Sequence, residues 1–310
     1  MLGEIFYWVF NMSIMGTFTG IIILLLGYIK RIPRRMIYAL WIIPFIRFLV
    51  PIGLDSKYSF MNLLSELSIK TTVAYEYSAP SYYPYSPSMS MMNSVGAAES
   101  YFPITYKTNV LEGIFNTSAI IWLCVVLFLF IVFLCLYIKT ILNNKTAIHF
   151  KDNIYTCEST PSPAVYGIVK PKIIIPVAFR DADLTYIIAH ESIHIKRMDN
   201  LRRILAIITA VIHWFNPFAW LFLKCFLQDM EHSCDEAVVK NLSLKEKKDY
   251  ALSLLNILER KAAFSSPFGG ANLSSRIKNI LSYKRLSLFS LICFVLLSCM
   301  IFYTLLTNAL

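Results

Sequence analysis

The feature that most limits what this chain can become is its longest apolar run. Residues 114–138 read IFNTSAIIWLCVVLFLFIVFLCLYI, without a single Asp, Glu, Lys or Arg. A bilayer core about 30 Å thick is crossed by a helix of about 20 apolar residues. Such a helix pairs its own backbone polar groups, which lipid cannot do. Three further runs qualify as spans: 5–29, 36–52 and 286–306. The first ends at Lys30 and Arg31 and is preceded by Glu4, the reverse of a cleaved signal, whose positive charge comes before its apolar core. The second is shorter and contains Pro44 and Arg47. Arg47 lies near its end and is expected to snorkel to the headgroups. Composition agrees: 57% hydrophobic and 15% charged residues, with mean hydropathy +0.58, exclude an ordinary soluble enzyme and a disordered chain.

The net charge of +10 raises the question of nucleic acid, and its distribution answers it. The loop between the first two runs reads KRIPRR, whereas residues 53–110 hold only Lys57, Lys70 and Lys107. Residues 139–285 carry 21 of the 29 basic and 13 of the 19 acidic residues, and nothing after 285 is charged. Short cytoplasmic loops carry the Lys/Arg excess. The expected topology therefore has four spans, both termini outside, 30–35 and 139–285 cytoplasmic, and 53–110 outside, in the plasma membrane. No nucleic-acid motif or basic stripe interleaved with aromatics is present, so no direct nucleic-acid contact is expected. The outer loop includes YEYSAPSYYPYSPSMSMM at 75–92, which reads as an irregular connector or, alternatively, an adaptable sensor surface. The seven cysteines all fall in spans or in the inner segment and imply no disulfide framework.

Within the inner segment, Asp181 or Asp183 can cap a helix starting at Leu184. That helix contains His190-Glu-Ser-Ile-His194, the HExxH arrangement of zinc peptidases. Two imidazoles one turn apart can share a metal, and three protein ligands leave a fourth position for water. Glu191 is then placed as general base. The apolar flank of Ile187, Ile188, Ala189, Ile193 and Ile195 buries the pair, and buried unpaired His and Glu are costly, so a metal is a natural partner. A third ligand is sought on a second helix in QDMEHSCDE, 228–236. Glu231 is a candidate, with His232 and Cys234 as competitors. Asp235 is a candidate to orient a ligand His, and Asp199 either does the same or pairs at the surface with Arg202 or Arg203.

The apolar stretch 204–223 is long enough to span, but a single crossing would put His194 and Glu231 on opposite sides. It also carries His213, Asn216 and Pro217, and Pro breaks a helix. Two shorter helices turning near 213–217, as a membrane-associated hairpin, are expected instead.

Taken together, HESIHIKRMD, HWFNPFAWLF, DMEHSCDEAVV and DYALSLL, in that order among four spans, resemble the BlaR/MecR-type antirepressor membrane zinc metallopeptidases of β-lactam-resistance signalling. SPAVYGIVKPKIIIP at 162–176 resembles the segment before that family's active helix. The resemblance implies a mainly α polytopic protein with a cytoplasmic gluzincin-like zinc protease domain at 139–285 containing a small β-sheet. It implies zinc ligands His190, His194 and Glu231, catalytic Glu191 and a supporting Asp235. It further implies cleavage of a cytosolic repressor, of the chain itself, or of both, and a homodimer. Residues 164–169 and 173–175 read as short strands, one of them an edge able to take an extended substrate, and 264–275 reads as a flexible loop suited to self-cleavage. Family sensors continue into an extracellular penicillin-binding domain, whereas this sequence stops at Leu310. Either a separate sensor protein, the loop 53–110, or a truncated sequence is expected to account for that. Two other readings stand beside the endopeptidase: a non-hydrolytic transducer with a structural zinc site, and a site-two-type intramembrane protease. A structural site has no need of Glu191, and the basic residues after the motif suit the membrane surface better than a span.

Overall fold

A computed structural model of the chain describes residues 2–29, 32–50, 56–59, 109–160, 162–179, 184–262, 270–283 and 288–307. These are mainly helical, with one small mixed sheet. The first run forms α1 (Leu2–Gly27), and the longest run forms α4 (Asn109–Asn143). Among the described residues, two helices are long and apolar enough to cross a membrane, one of them α1 and the other running Gly113–Thr146, within and just beyond α4. At about 1.5 Å per residue, α4 extends roughly 50 Å, well past a bilayer core. The last run forms α10 (Leu288–Leu306), 19 residues long.

The second run is not one helix. It forms α2 (Arg34–Leu40) and α3 (Ile42–Leu49), interrupted at Trp41. Pro44 has no N–H to give to a carbonyl one turn back, so it is accommodated by restarting the helix and placing it in the first turn of α3. Val50 is extended, as the residue before Pro51 must be, which ends α3 there. Arg47 does not snorkel either. It is buried, and its guanidinium donates to the carbonyls of Leu305 (2.7 Å) and Thr307 at the end of α10. Those terminal carbonyls lack intrahelical partners, which makes them natural acceptors for a buried cation.

The stretch 204–223 divides between α6 (Asp199–Ile212) and α7 (Pro217–Val239). Asn216 caps α7 by accepting from the Phe218 N–H at 2.9 Å, with Pro217 at the first helical position. Its amide donates to Ser13 Oγ (2.8 Å) and Thr17 Oγ1 (2.7 Å) of α1, while His213 Nε2 donates to the Phe48 carbonyl at 2.9 Å. The Trp122 indole of α4 donates to the carbonyl of Ile212 at 2.8 Å. A turn can be buried among apolar helices here because neighbouring elements pair the Asn216 amide, His213 Nε2 and the Ile212 carbonyl, although His213 Nδ1 and Trp214 Nε1 have no hydrogen-bond partner among the described residues. Close approach comes from small residues: a Cβ on Gly16 would lie 2.6 Å from the Phe48 ring, and one on Gly20 would collide with Phe222. Ile23, Ile37, Trp41, Phe48, Phe222, Phe226 and Met230 make the core that joins α1–α3 to α7.

The sheet has the order β1 (Ile148–Lys151), β2 (Ile154–Cys157), β4 (Lys172–Pro176), β3 (Ala164–Tyr166). β2 and β4 are parallel, and the outer pairs are antiparallel. The sequence pattern anticipates β3 and β4 but not the first hairpin, whose turn places Asp152 at φ 46°. β3 stops three residues early because Gly167 turns the chain at φ 90°. Ile154, Ile173 and Ile175 pack against Ile187 of α5 (Thr185–Arg197), with Phe179 and Leu184 completing the cluster. α8 (Leu244–Ala262) and α9 (Gly270–Ser282) close the far side through Tyr250, Leu254, Ile280 and Val239. Part of the expected self-cleavage loop, 270–275, is therefore helical; 264–269, the caps Asp181 and Asp183, and the Tyr/Ser/Pro-rich part of 53–110 lie outside the described residues.

Candidate metal centre

The helical spacing of α5 puts His190 and His194 on one buried face, with Nε2 atoms 3.1 Å apart. α7 crosses opposite them and brings Glu231 to the same point, with Oε2 3.4 Å from His190 Nε2 and Oε1 3.8 Å from His194 Nε2. The ligating atoms of these three residues all lie within 4.8 Å of one another. The competitors fall elsewhere. His232 turns its Nε2 toward Ser275 Oγ at 3.3 Å. Cys234 is buried behind His194, 3.4 Å from its Nδ1.

Each histidine is held from behind by a carboxylate. Met198 takes a left-handed conformation at φ 55°, which lets α6 start immediately and turns Asp199 back under α5. Asp199 is fully buried; its Oδ2 accepts from His194 Nδ1 at 2.8 Å, and its Oδ1 also keeps the expected ion pair with Arg202, at 3.8 Å. The proton on His190 Nδ1 is shared between Tyr250 Oη at 3.0 Å and Asp235 Oδ1 at 3.2 Å. Tyr250 in turn donates to Asp235 Oδ1 at 2.6 Å.

This arrangement tests whether a metal fits. With both Nδ1 atoms donating backwards, both Nε2 atoms present lone pairs, aimed at each other and at a carboxylate. In the metal-free chain a proton on His190, hydrogen-bonded to Glu231, relieves the repulsion of these converging lone pairs, and a bound cation would take its place. A tetrahedral ion with bonds of about 2.0–2.1 Å holds its ligands roughly 3.3 Å apart, close to the separations seen. The donor set therefore fits a metal, and two imidazoles with one carboxylate suit zinc.

Three partners of the site carry no signal in the sequence pattern. Arg276 of α9 clamps Asp235 through Nε (2.8 Å) and Nη2 (2.7 Å), and its Nη1 lies 3.6 Å from Glu231 Oε2. Tyr250 stands in DYALSLL with nothing to mark its hydroxyl, and Tyr38 of α2 donates to Asp199 Oδ1 at 2.8 Å. Only the fold brings these side chains in.

The charges set the protonation states. Burial opposes ionisation of Glu231, but its hydrogen bond to His190 and the Arg276 charge outweigh that and hold it down to about 2. Burial likewise opposes charge on His190, yet bonds to Asp235 and Glu231 carry it up to about 9 in the metal-free chain. The Asp235 carboxyl is held far below its ordinary range despite burial, chiefly by Arg276. Glu191, beside His190 on α5, is raised, because burial exceeds the attraction of His190 and His194. A carboxylate of raised basicity is what a general base needs.

Beyond His194 a cavity of about 170 Å³ is lined by Val165, Gly167, Pro171, Met198 and Asn200. β3 is the sheet edge here, but the Asn200 amide already donates to the carbonyls of Val165 and Gly167, at 3.0 Å each. An extended peptide added to this edge would have to displace Asn200.

A buried HExxH helix, a carboxylate brought to it by a second helix and a carboxylate behind each histidine make a candidate metal centre of the kind a metallopeptidase uses. The chain belongs to the M56 peptidase family: the family model described as BlaR1 peptidase M56 matches residues 7–287. It is 32% identical over 141 residues to a regulatory protein BlaR1 of Bacillus licheniformis, covering 44% of this chain and 24% of that protein. It is 31% identical over 134 residues to the methicillin resistance mecR1 protein of Staphylococcus aureus (39% and 23% covered), and 29% identical over 191 residues to a Staphylococcus aureus regulatory protein BlaR1 (54% and 32%). The matched segments span a quarter to a third of the length of these relatives.

Proposed function

We propose that this chain is a membrane-embedded zinc endopeptidase of signal transduction, which cleaves a cytosolic transcriptional repressor, itself, or both, to induce antibiotic-resistance genes. The observation that carries the reading is the convergence of His190, His194 and Glu231 within 4.8 Å, beside a half-buried Glu191. In this reading 1–52 supplies two spans, 111–138 a third and 286–310 a fourth. The gluzincin-like domain, 139–285, is cytoplasmic and both termini are outside. The asymmetric placement of Lys and Arg supports that orientation. The broken α2–α3 pair is compatible with the second span, since neighbouring helices satisfy an interrupted backbone. The partners are the bilayer, the repressor, a second copy of the chain and a separate sensor protein. Any contact with nucleic acid belongs to the repressor.

His190, His194 and Glu231 would hold the zinc. A zinc ion there supplies Lewis acidity, polarising the scissile carbonyl and acidifying water. Asp199 and Asp235 keep the protons on the Nδ1 atoms, so both Nε2 atoms remain ligands. Glu191 removes a proton from the attacking water as its oxygen bonds to the carbonyl carbon. It then delivers that proton to the amide nitrogen as the carbon–nitrogen bond breaks, leaving a carboxyl and an amine.

The test is cleavage by the full chain in lipid vesicles, zinc-loaded, with the repressor supplied and intact mass followed for self-cleavage. Glu191→Gln is expected to cut at least about 100-fold more slowly while retaining zinc. Equal cleavage by the variant would reject the catalytic reading.

A further inference from the structure

The helix after the first apolar run reaches the candidate metal centre through one carboxylate. α2 is seven residues long, yet three buried carboxylates of α6 and α7 are spent on it. Glu236 accepts from the backbone N–H groups of Arg34 (2.8 Å) and Arg35 (3.1 Å). Asp229 accepts from the Trp41 indole at 2.8 Å and from Arg34 at 3.2 Å. Asp199 accepts from Tyr38. Only the last of these carboxylates also touches a candidate metal ligand.

The bonds around Tyr38 have a consistent donor direction. Arg202 Nη1 donates to Tyr38 Oη at 3.1 Å, so the hydroxyl's proton is free to go to Asp199 Oδ1 at 2.8 Å. The other oxygen, Oδ2, takes the proton of His194 Nδ1 at 2.8 Å. Tyr38 thus fixes the rotation of a carboxylate that fixes the tautomer and ring plane of His194. The ring of Tyr38 is itself held, stacked on Phe226 of α7 with centroids 5.4 Å apart.

We propose that Tyr38 is a positioning residue for the metal centre, acting through Asp199 on His194, so that the seating of α2 on α6 and α7 sets the affinity of the site. This rests on the reading of His190, His194 and Glu231 as metal ligands. Its consequence is that a displacement of α2 that withdraws the hydroxyl weakens metal binding without touching a ligand. Partners of a metal-ligating histidine typically govern its affinity by about 10–100-fold, and Tyr38 stands one bond further out.

The experiment uses the full chain in lipid nanodiscs, with cobalt(II) affinity read by chelator competition and the cobalt ligand-field spectrum recorded. Tyr38→Phe keeps the ring and removes the hydroxyl; about tenfold weaker binding and a shifted spectrum are expected. Trp41→Phe removes one bond to Asp229 while Tyr38 stays seated on Phe226 and bonded to Asp199, and is expected to stay within about twofold of wild type. Asp199→Ala is expected to weaken binding about 100-fold, and adding Tyr38→Phe to it should cost nothing more, since the two act in series. Wild-type affinity in Tyr38→Phe, equal losses in Tyr38→Phe and Trp41→Phe, or full additivity with Asp199→Ala would each overturn the proposal. A wild-type chain that binds no more cobalt than His190→Ala would overturn the metal reading itself.

Discussion

His190 and His194 sit one turn apart on the same helix, yet they are held from opposite sides of the protein. Behind His194 runs Asp199, then Tyr38 on α2 among the apolar helices, whose hydroxyl accepts from Arg202 of α6. Behind His190 run Asp235 and Tyr250, locked by Arg276, ending on α8 and α9. The residue types repeat, but the charge balance does not. Arg202 is half exposed and stands 3.8 Å from Asp199, whereas Arg276 is mostly buried and grips Asp235 with two bonds. The His194 side is a hydrogen-bond relay into the apolar frame, and the His190 side is a buried ion pair within the polar domain. One site can thus be adjusted from two parts of the molecule by different physics.

The largest test of that contrast is to remove each arginine. Arg276→Met takes the guanidinium from the fully buried Asp235, while Glu231 keeps Arg203 at 3.6 Å, and breaking a buried pair from one side costs about 3–5 kcal/mol. Arg202→Met removes a half-exposed pair worth under about 1 kcal/mol. Thermal or denaturant unfolding of the metal-free chain should therefore separate the two variants clearly; equal losses would erase the distinction. Adding metal should rescue part of the Arg276→Met loss, because the ion takes over neutralisation of Glu231.

A smaller effect is expected from the orienting carboxylates. Asp235→Asn and Asp199→Asn should each weaken metal binding by about 10–100-fold, measured by chelator competition. A loss confined to one of them would mean that only one histidine depends on its support. Tyr250→Phe should be milder, about 1.5 kcal/mol of stability, the usual worth of a hydrogen bond to a charged group.

The smallest and most specific test is pH. In the metal-free chain His190 is raised to about 9, above an ordinary imidazole near 6.5. Its protonated form therefore contributes stability that is complete below about 6.5 and is lost as pH rises through about 9. Metal requires the neutral ring. Affinity should accordingly increase by up to about tenfold per pH unit between 7 and 9 and then level. A flat profile would mean that no proton on His190 competes with the ion.

Much of this was legible in the sequence because it is local. Apolar runs, the i and i+4 spacing of His190 and His194, and the Asn216-Pro217 break are patterns within a few residues, and helical geometry translates them directly. Arg47 shows the limit: its position near the end of a run suggested the headgroups, but α10 arrives from 258 residues away with carbonyls to satisfy. The split of α2 from α3 was signalled by Pro44, though a proline alone does not tell a kink from a restart. The β1–β2 hairpin was missed because its strands are only four residues long.

What the sequence by itself determined is the pattern of the candidate site: an HExxH helix in an apolar frame, with a carboxylate available downstream. What the tertiary structure alone decided is which groups surround it. Of the three downstream candidates, Glu231 is the one that faces the Nε2 atoms, because the crossing of α5 and α7 turns its face, and not those of His232 and Cys234, toward them. Tyr38, Tyr250 and Arg276 entered because α2, α8 and α9 pack against α5 and α7 there. Such contacts join residues 15 to 161 positions apart, and no local periodicity encodes them; they are fixed by packing, which buries each carboxylate and so obliges it to find a donor.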